Sequence, residues 1–167
     1  MVQAIVYESN TGFTAEYANM LAEAVSLPAY ARTEAFEKLA RGAEVAFLGW
    51  VKAGSIQGLA SVKRRYTVRV LAAVGMAPAE SDMAEGICRR YAAFAPVYYL
   101  PGGFHMARLS GGSRAAMKVM AAVAGRLAKK PGDSARKAAE MAVLLQNGGT
   151  SVDRAYLETM IRYIREQ

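Results

Sequence analysis

The chain has 167 residues, 53% of them hydrophobic, a single cysteine and a formal net charge of +7 at neutral pH. That length is one domain's worth, here taken as 1–167, and the apolar content supplies a core without disulfide or metal staples. Cys88 has no second cysteine to pair with, which excludes an internal disulfide and agrees with a reducing compartment.

The first apolar run, Val2–Tyr7 (VQAIVY), is near-continuous rather than alternating, as a strand buried on both faces requires. It ends in a polar loop, Ser9–Thr14, from which a helix over Thr14–Val25 starts at once. Tyr17, Met20, Leu21, Ala24 and Val25 form that helix's apolar face. After Pro28 a short piece, Ala29–Arg32, reads as a strand, and Thr33–Arg41 reads as a short helix. Glu44–Val51 (EVAFLGWV) and Val68–Met76 (VRVLAAVGM) are further buried strands. Ser81, followed by Asp82 and Glu85, has the form of a helix N-cap with acids in the first turn, predicting a helix over Ser81–Phe94. Ala95–Pro101 (APVYYLP) is the last strand. Helices are predicted near 113–129, 134–146 and 153–165, punctuated by Pro131, Gly132 and the Gly148–Gly149 pair. Strands and helices in alternation predict an α/β fold with a parallel sheet and an extended helical C-terminus.

In an open parallel sheet, ligands bind beyond the carboxyl ends of the strands, where the strand order reverses. The loop Ser9-Asn10-Thr11-Gly12-Phe13-Thr14 lies at such an end. Its hydroxyls, the Asn10 amide and the N–H groups of a helix N-terminus are anion ligands, and Gly12 admits an unusual backbone angle. The loop carries no lysine or arginine, so a phosphate there is held by neutral dipoles, which suits a terminal monophosphate. GxxxxGK[ST] and GxGxxG are both missing from it, which excludes a nucleoside-triphosphate loop and the dinucleotide fingerprint.

The pattern Ser-x-Thr-Gly-x-Thr at Ser9–Thr14 resembles the FMN phosphate loop of flavodoxins. The TGFTAEYA wording and the later YLPGGF segment look more like the flavodoxin-domain group that includes quinone-dependent protoporphyrinogen dehydrogenases. The resemblance implies a flavodoxin-like three-layer fold, a five-stranded parallel sheet of order 2-1-3-4-5, and non-covalent FMN. It implies cofactor contacts from Ser9, Asn10, Thr11, Gly12, Phe13 and Thr14, from Trp50, Val51, Lys52, Ala53 and Gly54, and from Gly75 and Met76. Trp50 has two readings, stacking on the flavin and packing where a buried strand ends. Lys52 lies near the flavin or points to solvent. The segment at the end of the fourth strand, Val74–Glu80, departs from many flavodoxins: it has no tyrosine or tryptophan, and Met76 is its bulkiest side chain. A bare outer ring face leaves room for a second substrate such as a quinone, and equally suits a chain that has lost its flavin.

No other chemistry is written in the sequence. His105, the lone histidine, has no GxSxG serine elbow to serve, and no cluster of metal ligands is apparent. Cys88, beside Arg89 and Arg90 in a predicted helix, reads as a structural thiol. No nucleic-acid module is present.

Charge is uneven. Residues 1–103 hold ten Lys/Arg against nine Asp/Glu (+1), and residues 104–167 hold eleven against five (+6). On a helix over 113–130, Arg114, Lys118, Arg126, Lys129 and Lys130 share one arc of roughly 160°. Such a face either snorkels around a packed helix or rests on anionic lipid. No apolar run reaches the ~18–20 residues that cross a bilayer, and no secretory signal is expected. The expected location is therefore the cytoplasm, with peripheral contact at the inner membrane face as a variant. Three functions remain: an FMN redox protein exchanging electrons with a partner protein or quinone, a membrane-peripheral quinone-dependent dehydrogenase, and a flavin-free binding module.

Overall fold

The computed structural model describes residues 1–104 and 149–167. They belong to two compact units. One comprises Met1–Gly102 with Ser151–Gln167; the other is Gly103–Thr150, whose described part is an antiparallel pair of two-residue strands, Gly103–Phe104 and Gly149–Thr150. The helices predicted near 113–129 and 134–146, the basic arc and His105 lie outside the described residues.

The larger unit alternates strand and helix: β1 (Ala4–Glu8), α1 (Phe13–Val25), β2 (Ala29–Ala31), α2 (Arg32–Lys38), β3 (Glu44–Lys52), β4 (Ser55–Ile56), α3 (Leu59–Lys63), β5 (Thr67–Gly75), α4 (Asp82–Tyr91) and β6 (Val97–Pro101). A 3₁₀ turn, Arg154–Leu157, leads into α5 (Glu158–Arg165). The long strands lie in the order β2-β1-β3-β5-β6, every neighbouring pair parallel. Counted by those five strands, the order is 2-1-3-4-5. This is the flavodoxin-like three-layer fold expected from the sequence, with β4 added antiparallel to β3.

Successive strand residues feed opposite layers. Ile5, Ala46, Leu48, Ala72 and Val74 pack with α1 and α5 through Phe13, Tyr17, Leu21, Met160 and Ile164. Val6, Val45, Phe47, Leu71 and Ala73 pack with Ala35 of α2, Leu59 and Val62 of α3, and Ile87 of α4. The alternation slips once. Val45 pairs with Val68 but Ala46 pairs with Val70, so Arg69 is the extra residue of a β-bulge. Val68 consequently joins one layer and Val70 the other, although they are two residues apart.

Side-chain caps stand at two helix starts, and that of Ser81 is the one the sequence predicts. The Ser81 hydroxyl accepts from the Ala84 amide at 3.2 Å and caps α4, and Asp153 accepts from Ala155 N–H at 2.8 Å ahead of the last helical segment. α1 closes on Ser26 in the left-handed region (φ 55°), with Leu27 N–H returning to the Ala22 carbonyl at 3.1 Å. Three elements were not foreseen: the β3–β4 hairpin, α3, and the short strand pair of the second unit.

Candidate functional site

The parallel sheet brings the ends of β1, β3, β5 and β6 to one edge, and the reversal of strand order falls between β1 and β3. The Ser9–Gly12 loop leaves β1 at that point. Gly12 is the residue before α1 and has φ +98°, a conformation hostile to side-chain-bearing residues. Its N–H donates to the Ser9 hydroxyl oxygen at 3.2 Å, which fixes the turn and keeps the Ser9 O–H hydrogen for another acceptor. Gly12, the N-cap of α1, brings no side chain of its own to the helix start, and the positive end of the helix dipole lies at the loop. Asn10 is exposed, and Ser9 and Thr11 are half-buried.

The same fold takes the last two residues of the motif inward. Phe13 (4% exposed) belongs to the core layer of α1, and Thr14 is 2% exposed. They stand where the helix turns onto the sheet, so their side chains belong to the core and not to the surface of the loop.

The second stretch is organised differently from an open loop. β3 continues to Lys52, the chain reverses at Ala53 (φ 48°) and Gly54 (φ 72°), and Val51 and Lys52 pair with Ile56 and Ser55. Two central residues at positive φ make a tight primed hairpin turn. The turn is anchored by Arg90, whose guanidinium donates to the Gly54 carbonyl at 2.8 Å. The Trp50 carbonyl accepts from Gln57 N–H at 2.9 Å, and the Trp50 side chain is half-buried. Lys52 and Ala53 are exposed. The hairpin leads to Gly58, where an added Cβ would lie 2.9 Å from Cβ of Glu8. The second segment therefore packs against the foot of the first loop.

The third segment is closed from beneath. A Cβ at Gly75 would stand 2.2 Å from the Tyr99 hydroxyl, so glycine is what lets that phenol pass. The hydroxyl accepts from Ala77 N–H at 3.0 Å, and Gly102 N–H donates to the Gly75 carbonyl at 2.7 Å. Met76, 37% exposed, remains the bulky side chain on the outside of this turn.

Three side chains to which the sequence assigned no part in the site hold this edge together. Arg32, at the start of α2, is ion-paired with Glu8, the last residue of β1. Both are half-buried, and the pair neutralises the carboxylate nearest the phosphate-type loop. Glu8 was visible beside the loop, but its partner depends on the parallel register that sets Tyr7 against Ala31. Tyr17, fully buried, donates from its hydroxyl to the Pro101 carbonyl at 2.6 Å, with the Ser151 carbonyl at 3.3 Å, and accepts from Asp153 N–H at 3.2 Å. Burial pushes its pKa from 10.0 up to about 12. Tyr99 is the third, its pKa likewise raised by burial.

These phenols stay neutral and serve as struts, not as acids or bases. Burial also raises the pKa of Cys88, which disfavours its thiolate form. The edge thus brings the hydroxyl-bearing Ser9–Gly12 loop beside two backbone turns, at Ala53–Gly54 and at Gly75–Met76. Among the described residues no helix is long and apolar enough to cross a membrane. No protein-family model matches the chain, and no curated protein matches it.

Proposed function

We propose that this chain is an FMN-binding, flavodoxin-like redox protein. The observation that carries the proposal is the Ser9–Gly12 loop at the strand-order switch, running through Gly12 at φ +98° into the start of α1. Ser9, Asn10, Thr11 and the first-turn backbone of Gly12, Phe13 and Thr14 would hold the phosphate. The ring would lie by the turns of Trp50–Gly54 and Gly75–Met76. Bound FMN supplies one- and two-electron transfer. The chain's own part is to bind the phosphate without a formal counter-charge, orient the ring and shield one of its edges from water.

The exposed Met76 favours a second reading within the same site. A ring face without an aromatic cover admits a quinone, as in a membrane-peripheral dehydrogenase. On either reading the electron partner is a redox protein or a quinone.

Titration of the purified chain with FMN, followed by quenching of flavin fluorescence, tests the reading. Wild type is expected to bind stoichiometrically. Gly12→Val forces a β-branched residue to φ +98° and is expected to weaken binding at least tenfold, with Thr11→Ala weaker than wild type as well. If wild type neither quenches FMN nor gains thermal stability from it, the flavin-free binding module replaces this reading. If both variants bind like wild type, the phosphate assignment is wrong.

A further inference from the structure

At the opposite edge of the sheet, by the amino-terminal ends of β5 and β6, lies a cavity of about 420 Å³, within the range of small-molecule sites. Its walls combine Lys63, Arg69, Tyr66, Phe94, Pro96 and Tyr163. We propose that this cavity binds a small aromatic carboxylate. The proposal is independent of the flavin site, which is served by the other ends of the strands.

Four observations carry it. The Lys63 ammonium sits 3.8 Å from the centroid of the Phe94 ring, so a cation and an aromatic face are presented together. Phe94 is 39% exposed, an apolar surface that a flat ligand ring would cover. Arg69 lines the cavity and is the extra residue of the β-bulge in β5; bulges commonly re-aim a side chain at a functional position. Finally, the positive charge is under-compensated. Arg69 Nη2 donates to Gln167 Oε1 at 3.0 Å, and its Nη1 lies 3.9 Å from Glu44 Oε1. That carboxylate also pairs with the N-terminal amine. Among the described residues, no carboxylate lines the cavity itself. A carboxylate between Lys63 and Arg69, with its ring against Phe94 and Pro96, satisfies both the charge and the apolar wall.

The test is an amide NMR titration of the full chain with benzoate. Benzyl alcohol (ring without charge) and inorganic phosphate (charge without ring) serve as controls. Benzoate is expected to saturate with a midpoint on the order of 1 mM, as suits so small a ligand. The shifts are expected at Tyr66–Arg69, Phe94, Ala95 and Tyr163. Both controls are expected to bind at least about tenfold more weakly, and Lys63→Gln and Phe94→Ala each to weaken benzoate about fivefold. Both substituted side chains are exposed, and the spectra themselves report that the fold is kept. Shifts that fail to saturate, or that centre on Ser9–Gly12, overturn the proposal. So does either control matching benzoate, or both variants binding like wild type. Saturating FMN is expected to leave the benzoate midpoint unchanged, which separates failure here from failure of the flavin reading.

Discussion

Tyr17→Phe removes one oxygen from the fully buried junction of α1, the end of β6 and the segment before α5. At neutral pH the loss has two parts. The Pro101 carbonyl, itself buried, forfeits a 2.6 Å bond, and the Asp153 amide forfeits a 3.2 Å bond at a more solvated position. A buried group left without a partner costs about 1–3 kcal/mol, and a partly solvated one costs less. The expected destabilisation is about 2 kcal/mol. A second signature lies at high pH. The folded pKa of Tyr17 is raised to about 12 from 10.0, so the unfolded chain loses this proton first. The stabilisation is therefore complete below pH 10 and is lost as pH rises toward 12, amounting to about 2–3 kcal/mol over that range. Phenylalanine has no proton to lose, so the variant's stability is expected to fall less steeply over that range. Equilibrium urea unfolding at pH 7 and at steps from 10 to 12 measures both effects. If Tyr17→Phe stays within 0.5 kcal/mol of wild type at pH 7 and keeps the same alkaline slope, the strut described for Tyr17 does not exist.

Gly75→Ala sets a methyl 2.2 Å from the Tyr99 hydroxyl. Displacing that phenol also breaks its bond with Ala77 N–H, so a loss of about 2 kcal/mol is expected in urea unfolding. Adding Tyr99→Phe relieves the nearest clash, and the double variant is expected to cost about 0.5–1 kcal/mol less than the sum of the single ones. Ser26→Gly relaxes a left-handed residue (φ 55°) at the end of α1 and is expected to add about 0.5–1 kcal/mol; an unchanged midpoint would show that Ser26 sits there without strain. Ala53→Gly in the β3–β4 turn (φ 48°) is expected to gain a similar amount by thermal unfolding.

Much of the layout is written locally. The apolar runs beginning at Val2, Glu44, Val68 and Ala95 became β1, β3, β5 and β6 with ends shifted by two residues or fewer, because a strand buried on both faces has few alternatives. Alternation of strand with helix then restricts the topology to right-handed parallel crossovers. Gly12 was legible as a backbone requirement, and Ser81 as a cap, since both act over three or four residues. What only the tertiary structure decided depends on register between distant segments. The chain reversal at Ala53–Gly54 was hidden because alanine at φ 48° is an unfavourable turn residue, tolerated where β4 pairs back onto β3. The bulge at Arg69 arises from the pairing of β5 with β3 and breaks no pattern visible in VRVLAAVGM. The Glu8–Arg32 pair and the reach of Tyr17 to Pro101 span 24 and 84 residues. Local sequence therefore specifies which segments are strands and where the hydroxyl-rich turn lies. Long-range packing specifies which side chains close around that turn, because burial and pairing energies belong to contacts that exist only once the sheet has formed.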